Sequence, residues 1–263
     1  MSFTDQLGRE ITLNGAPQSI ISLVPSISEL LVDLGLEDHL VGVTKFCEYP
    51  AYLRKTKTIV GGTKQVDYDK IKSLSPDLII CNKEENTLEM LRELDTVASV
   101  YVSDVRTLED ACTMIQDLGE ICGVQQKSIQ LIDDINSAFD YLKVSISKKP
   151  TLKVAYFIWK DPWMVAGGDT FIQDMLEHSG FENLFDHQER YPEVSIAQVK
   201  DLNPDLLLFS SEPFPFQPKF LGEVYVHFPK EKIVFVDGSY FSWYGSRLLR
   251  AATYFKKLRD QLA

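Results

Sequence analysis

The chain has 263 residues, of which 44% are hydrophobic and 25% are charged, and these globular values exclude a disordered, collagen-like or coiled-coil protein. Its formal net charge of −11, without any block of lysine and arginine, argues against nucleic-acid binding, because phosphates are neutralised by basic side chains. The four cysteines and four histidines lack the spacing of a zinc site or a disulfide framework, so we expect no metal centre and no disulfide.

The composition also bears on location. No apolar run reaches the length of about 18 residues that a membrane span needs. Residues 1–20 contain no basic head followed by an apolar stretch, which is what a secretory signal requires. We therefore expect either a cytoplasmic protein or an exported chain whose export segment is not included.

Short apolar runs alternate with helical patterns along the whole chain. Continuous apolar runs predict buried parallel strands, and apolar residues spaced by three or four predict helices. The alternation of the two predicts an α/β protein with mainly parallel sheets. Strands are predicted at 20–24, 41–43, 78–81, 100–102, 154–159, 206–209 and 233–236, and helices at 28–34 and 171–178.

Two segments offset by 128 residues resemble each other. Residues 66–84 read VDYDKIKSLSPDLIICNKE, residues 194–212 read VSIAQVKDLNPDLLLFSSE, and 7 of 19 positions are identical. Each copy predicts a short helix that ends before Pro76 or Pro204, because the residue before proline is forced out of the helical region, and then a buried strand. The repeat indicates two halves built alike.

The stretch between the halves is helical. Apolar residues recur at helical spacing from Leu108 to Ile121, Gly123 ends that helix, and a second helix over residues 125–146 stops before Pro150. The second helix would span about 33 Å, long enough to connect two lobes as a rigid strut. We therefore divide the chain into an N-terminal lobe (1–106), connecting helices (107–149) and a C-terminal lobe (150–263).

Four segments in this order resemble a known family. They are IISLVPSISELLVDLGLEDHLVGVTKFCEYP (20–50), LSPDLIICNKEEN (74–86), FIQDMLEHSGFENLF (171–185) and DGSYFSWYGSRLLRAATYFKKL (237–258). With the long central helix, they make the chain similar to the helical-backbone substrate-binding proteins of ABC importers, nearest the branch for cobalamin and ferric siderophores. The resemblance implies two similar lobes joined by the helix with a ligand cleft between them, and a monomer that works outside the cytoplasmic membrane.

The resemblance also implies that loops after the strands line the cleft, which is where open α/β sheets bind ligands. Ser26 could bind an anionic or amide group at a helix start, or could simply cap that helix. Tryptophan walls would suit a flat, largely apolar macrocycle, although core packing is the alternative for each tryptophan. Arg247 could pair with a ligand carboxylate or lie on a helix surface. The ligand-binding candidates are Ser26, Phe46, Tyr49, Thr63, Lys64, Trp159, Trp163, Tyr240, Trp243 and Arg247.

Acidic residues follow the repeated strand in both halves. Glu84, with its neighbour Glu85, and Glu212 occupy equivalent positions. In the family that the chain resembles, one glutamate per lobe docks onto the membrane subunits of the transporter. The resemblance therefore implies an ABC permease as partner and these three residues as docking candidates. Capping a helix or facing water is the alternative role for each.

No catalytic residues are predicted, because nucleophile and phosphate-loop motifs are missing from the sequence. We expect a binding protein for a metal chelate, either a corrinoid or a ferric siderophore, with no cofactor of its own. Haem is least favoured, since haem iron usually takes a protein ligand and no Tyr/His pair stands out. We expect Trp163→Ala and Trp243→Ala to weaken binding without unfolding the protein. The alternatives are a cytoplasmic two-lobed α/β enzyme of chelatase type and a stand-alone corrinoid-binding module.

Overall fold

A computed structural model of the chain describes residues 1–262. These residues form two compact units. The N-terminal unit comprises residues 1–105, 109–135 and 244–247, and the C-terminal unit comprises residues 106–108, 136–243 and 248–262. A short segment near the end of the chain, residues 244–247, thus belongs to the N-terminal unit.

The N-terminal unit begins with a β-hairpin and continues as a parallel sheet with five strands in the order β5-β4-β3-β6-β7. The strands are β1 (Ser2–Thr4), β2 (Glu10–Thr12), β3 (Ile20–Ser22), β4 (Leu40–Val43), β5 (Thr58–Ile59), β6 (Leu78–Asn82) and β7 (Ser99–Ser103). The helices in residues 1–146 are α1 (Pro25–Asp33), α2 (Leu53–Thr56), α3 (Tyr68–Ser73), α4 (Leu88–Leu94), α5 (Leu108–Ile121) and α6 (Gln125–Ile146).

The C-terminal unit has its own sheet, in which β10, β8, β11 and β12 run parallel in that order and β9 is antiparallel to β8. The strands are β8 (Leu152–Trp159), β9 (Met164–Val165), β10 (Phe181–Asn183), β11 (Leu206–Ser210) and β12 (Ile233–Val236). The helices are α7 (Phe171–His178), α8 (Ile196–Asp201), α9 (Gly222–His227), α10 (Ser239–Ser242) and α11 (Leu248–Gln261).

The predicted α/β class with parallel sheets is confirmed, and every predicted strand is present with ends shifted by at most two residues. Helices α6 and α7 begin and end where they were predicted. The predicted start of helix α1 was three residues too far along the chain, because the helix begins at Pro25 rather than Ser28. Proline suits the first helical position, where its missing N–H is not needed. The strands that the sequence analysis missed have two or three residues, too few to show a pattern: β1, β2, β5, β9 and β10.

The sequence repeat is a structural repeat. The Asp67 carboxylate accepts a hydrogen bond from the Lys70 backbone N–H at 3.1 Å and caps α3. The equivalent Ser195 hydroxyl accepts one from the Gln198 N–H at 3.2 Å and caps α8. Both helices therefore begin with the same type of cap.

The aspartates of the repeat also have the same role in both units. The Asp77 carboxylate accepts hydrogen bonds from the backbone N–H groups of Gln18 and Ser19, at 2.8 and 3.0 Å, where the chain enters β3. The Asp205 carboxylate accepts one from the Lys153 N–H at 2.7 Å, in β8. Each aspartate holds its repeated strand beside the first strand of its sheet.

The turn before each proline differs from the expected extended backbone. Ser75 has φ 45° and Asn203 has φ 51°, so both residues adopt the left-handed conformation, and α3 and α8 end just before it. Asparagine tolerates this region well because its short side chain can hydrogen-bond locally. The helices do end before the prolines, as predicted. The residue between each helix and its proline has a left-handed backbone conformation instead of an extended one.

Each unit has an apolar core of its own. Aliphatic residues of β3, β6 and β7 fill the core of the N-terminal unit, whereas aromatic rings dominate in the C-terminal unit. There, Phe157 and Phe209 stack with ring centroids 4.6 Å apart. No helix within residues 1–262 is long and apolar enough to cross a membrane.

Candidate ligand-binding site

The carboxyl ends of the parallel strands place most of the predicted site residues of the N-terminal unit at one edge of its sheet. Because β3, β4, β5 and β6 are parallel, the loops that follow them emerge at the same edge, where open α/β sheets bind ligands. Those loops and the start of α1 carry Ser26, Phe46, Tyr49, Thr63, Lys64, Glu84 and Glu85.

Phe46 and Tyr49 are the ligand-binding candidates in the loop after β4. Phe46 is 49% exposed and Tyr49 is 41% exposed. The Phe46 ring lies over Gly62, where a Cβ atom would come within 3.2 Å of Phe46 Cε2. Lys45 Nζ lies 5.0 Å from the centroid of the Phe46 ring. The loops after β4 and β5 thus pack together beneath an exposed aromatic surface.

Cys47 lies between these two aromatic residues but is fully buried. Burial raises the pKa of the Cys47 thiol, and this outweighs the hydrogen bond with Ser28 that lowers it. The thiol therefore stays protonated at neutral pH, and only a thiolate is a nucleophile or a metal ligand. All four cysteines are free thiols, and within residues 1–262 no three His, Cys, Asp or Glu side chains group as a metal site.

Thr63 and Lys64 connect the loops after β5 and β6. The Thr63 carbonyl accepts a hydrogen bond from Asn86 Nδ2 at 2.8 Å. The Lys64 ammonium donates to the carbonyl of Glu84. The Thr63 residue is partly buried and Lys64 is exposed, so Lys64 is the more accessible of the two to a ligand.

Ser26 does not cap α1. The N-cap residue is Val24, and no side chain caps the helix, so the capping role considered for Ser26 is wrong. The Ser28 hydroxyl donates to Ser22 Oγ at 2.9 Å, and Ser26 is only 6% exposed. Ser26 therefore lies in the first turn of the helix with little surface for a ligand.

Arg247 has a different environment from either one we considered. It is 3% exposed, so it does not lie on a helix surface. Its Nε and Nη2 atoms donate to the two carboxylate oxygens of Glu29 in α1, each at 2.9 Å. Its guanidinium carbon lies 4.0 Å from the centroid of the Tyr49 ring. In the structure, the arginine therefore pairs with a carboxylate of the chain itself, that of Glu29.

Trp159 is an exposed aromatic residue at the carboxyl end of β8 in the C-terminal unit. It ends β8 and is 40% exposed. The ring of Phe214, which follows β11, packs edge-on against it with centroids 5.6 Å apart. Phe214 was not predicted as a site residue, although its position in Ser-Glu-Pro-Phe-Pro-Phe directly after a predicted strand was a signal for it. Trp159 and Phe214 form an aromatic pair at the carboxyl ends of two strands.

Trp163 belongs to the core of the C-terminal unit. It lies in a turn, and its side chain points inward and is only 7% exposed. Its ring stacks on Phe216, with centroids 6.0 Å apart and 5° between the planes, and its Nε1 donates to Glu223 Oε2 at 2.9 Å. Of the two roles we considered for Trp163, the structure favours core packing.

Tyr240 and Trp243 also have limited exposure. The Tyr240 ring stacks on Tyr254 at 4.4 Å and is partly buried, whereas Trp243 is 8% exposed. Neither presents a broad ring face to solvent as Trp159 does.

The docking candidates Glu84 and Glu212 have matching local geometry. The Glu84 backbone N–H donates to Asn82 Oδ1 at 2.8 Å, and the Glu212 N–H donates to Ser210 Oγ at 3.2 Å. Asn82 and Ser210 are the last residues of β6 and β11. The repeat thus presents an acidic residue on the same turn in each unit, with Glu84, Glu85 and Glu212 all partly buried.

Comparisons with known proteins agree with this architecture. An ABC transporter substrate-binding lipoprotein of unassigned function from Bacillus subtilis is 26% identical over 217 residues, which cover 79% of this chain and 68% of the relative. A vitamin B12-binding protein from Vibrio vulnificus is 28% identical over 203 residues, covering 76% and 74%. The structure of a periplasmic haem-binding protein from Roseiflexus superposes with a TM-score of 0.80 at 20% identity, covering 93% and 98%.

The haem-binding structure shares the fold, and at that identity it shows nothing finer. The family model for periplasmic binding proteins matches residues 20–225, which include all the strands of the parallel sheet in the N-terminal unit and most of those in the C-terminal unit. This chain therefore belongs to the periplasmic binding protein family, and it is a binding protein rather than an enzyme.

Proposed function

We propose that this chain is the substrate-binding component of an ABC importer, that it captures a metal-chelate nutrient of the corrinoid or ferric siderophore class, and that it delivers this nutrient to a membrane permease. It would work in the periplasm or tethered to the outer face of the cytoplasmic membrane. The names of the relatives from Bacillus and Vibrio support this assignment. The exposed rings of Tyr49 and Trp159 at the carboxyl ends of strands are the structural observation that carries it.

Exposed aromatic rings favour this class of ligand for a physical reason. A ring buries a large apolar area and loses little rotational freedom, so it binds flat or bulky apolar ligands well. Tyr49 and Trp159 each leave about two-fifths of their surface in water. Covering this apolar surface with a ligand removes it from water, which makes the free energy of binding more favourable. A metal chelate with a large organic framework fits this requirement.

The ligand class can be identified directly. We would incubate the protein with cyanocobalamin, a ferric hydroxamate siderophore and hemin in turn, and follow the visible absorbance through gel filtration. Cyanocobalamin or the ferric siderophore should elute with the protein. Elution of hemin alone would replace the proposed ligand class, and elution of all three probes apart from the protein would contradict the proposal.

Removing either exposed ring should weaken binding of the probe that co-elutes. We expect Tyr49→Ala and Trp159→Ala each to raise Kd about tenfold or more, equivalent to about 1.4 kcal/mol, as measured by absorbance or fluorescence titration. Tyr141→Ala is the matched control, because Tyr141 is a 65% exposed aromatic residue on α6. An unchanged Kd in both test variants would show that these rings do not contact the ligand.

The acidic residues after β6 and β11 should act on transport and not on binding. We expect Glu84→Ala combined with Glu212→Ala to leave the Kd for the probe unchanged and to reduce uptake severalfold, because such charges guide and align docking. Uptake would be measured in cells that carry the cognate permease. Glu93→Ala combined with Glu231→Ala, two exposed glutamates elsewhere on the units, is the control. Normal uptake by the test variant would rule out the docking role.

A further inference from the structure

We propose that Glu29 and Arg247 form a positioning pair that holds the Tyr49 ring in place for stacking on the ligand, and that Arg247 does not itself pair with a charged group of the ligand. This inference rests on the proposed function and deepens it, because it states how the N-terminal unit recognises its ligand at this point.

The pair itself is rigid and buried. Arg247 Nε donates to Glu29 Oε2 and Arg247 Nη2 donates to Glu29 Oε1, both at 2.9 Å. Only 4% of the arginine side chain and 5% of the glutamate side chain are exposed. Two parallel hydrogen bonds between a planar guanidinium and a carboxylate fix the plane of the guanidinium as well as its position.

Tyr49 lies against this fixed plane. Arg247 Cζ is 4.0 Å from the ring centroid, within the range of a cation–π contact. The tyrosine still exposes 41% of its surface, so the arginine covers part of the ring and leaves another part for a ligand. A ring that is already ordered loses less conformational freedom on binding, which favours affinity.

The chain around Arg247 is held closely against α1. Gly245 has φ +116°, and a Cβ atom there would lie 3.3 Å from Leu30 Cβ and 3.5 Å from the Ser26 carbonyl oxygen. This close approach brings the arginine to Glu29, which is 218 residues away in sequence. Residues 244–247 thus form part of the N-terminal unit and hold the arginine behind Tyr49.

The pairing of Arg247 with Glu29 determines which group of this site contacts the ligand. The charge of Arg247 is balanced by Glu29 and is buried, so the ligand meets the ring of Tyr49 and not a free cation. Recognition at this point is therefore stacking on an aromatic face. Stacking depends little on ionic strength, whereas an exposed ion pair weakens as salt is added.

A double-mutant cycle tests the positioning role. Glu29→Leu combined with Arg247→Met removes both charges and keeps similar side-chain volume, and Tyr49→Ala removes the ring. With the probe that co-elutes with the wild-type protein, we expect the charge-pair variant to raise Kd about fivefold when Tyr49 is present and less than about twofold in the Tyr49→Ala background. Equal losses in both backgrounds, or no loss with Tyr49 present, would overturn the inference.

Salt dependence separates positioning from direct contact. Wild-type Kd should change less than about twofold between 50 and 500 mM NaCl, since no exposed ion pair is involved. A steep dependence on salt that disappears in Arg247→Met would show that the arginine pairs with the ligand, which contradicts the proposal. Circular dichroism at the titration temperature would confirm that each variant is folded.

A measurement without ligand keeps this inference distinct from the proposed function. Protein labelled with 3-fluorotyrosine gives a ¹⁹F signal for Tyr49, identified by its loss in Tyr49→Phe. This signal should move toward that of free 3-fluorotyrosine when Glu29→Leu and Arg247→Met are introduced. If no probe binds the wild-type protein, the proposed function fails, but the ¹⁹F signal still tests whether Glu29 and Arg247 position Tyr49. A signal that does not move in the double variant would overturn the positioning role.

Discussion

Trp163→Ala should lower the free energy of unfolding by about 3–5 kcal/mol, as expected for loss of a buried tryptophan. The ring is 7% exposed, packs between Phe157, Phe209 and Phe216, and donates a hydrogen bond to Glu223. Its removal leaves a cavity in an aromatic core and an acceptor without its donor. Equilibrium urea denaturation, followed by circular dichroism, measures the effect.

Trp159→Ala is the matched control for this result. Trp159 is also a tryptophan near the end of β8, but it is 40% exposed, so we expect a loss of less than about 1 kcal/mol. The expectation from sequence, that Trp163→Ala would spare the fold and weaken binding, is therefore reversed: Trp163 supports the fold and Trp159 is the ligand candidate. Equal stability losses in the two variants would contradict this division of roles.

Glu29→Ala should lower the free energy of unfolding by about 3–5 kcal/mol, because it leaves the Arg247 guanidinium buried without its carboxylate partner. The arginine is 3% exposed, so water cannot replace the lost hydrogen bonds without rearrangement. Urea denaturation at pH 7 again measures the loss. The cost comes from the charge left behind and not from the net value of the pair.

The double variant without either charge separates the cost of an unpaired buried charge from the net contribution of the ion pair to stability. Glu29→Leu combined with Arg247→Met should be within about 1.5 kcal/mol of the wild-type protein, since replacing a buried ion pair by apolar residues of similar volume is often close to neutral. If the double variant is as unstable as Glu29→Ala, the segment that carries Arg247 depends on the ion pair itself for its place against α1. In that case, the double-mutant cycle of Kd values would have to be measured at a temperature at which this variant is folded.

Much of the fold could be predicted from local patterns. Helix α6 was predicted at both ends because Pro150 and Gly123 bound it and its apolar residues keep helical spacing. Asp77 and Asp205 occupy equivalent positions of the repeat, and both aspartates accept hydrogen bonds from the backbone at the start of the first strand of their sheet. By contrast, β5 and β9 have two residues each, so they form only because neighbouring strands supply their hydrogen-bond partners.

The candidate site was predicted less completely. Tyr49 and Trp159 were chosen as ligand candidates, and both have exposed rings. Trp163 and Trp243 were chosen on the same grounds, yet both side chains are buried. The side chain of a tryptophan after a strand can point into the core or into solvent. Its direction depends on which side chains from other segments pack against it, as Phe216 packs against Trp163.

Local patterns were enough to predict the α/β class, the duplicated helix-strand unit and the acidic residue at the same position of each copy, because periodicity, prolines and caps act over a few residues. Three contacts became visible only in the folded chain: Trp163 packs inward, Phe214 packs against Trp159, and Arg247 pairs with Glu29 behind Tyr49. These contacts join residues far apart in the chain, and their energies depend on burial and distance, which no local pattern encodes.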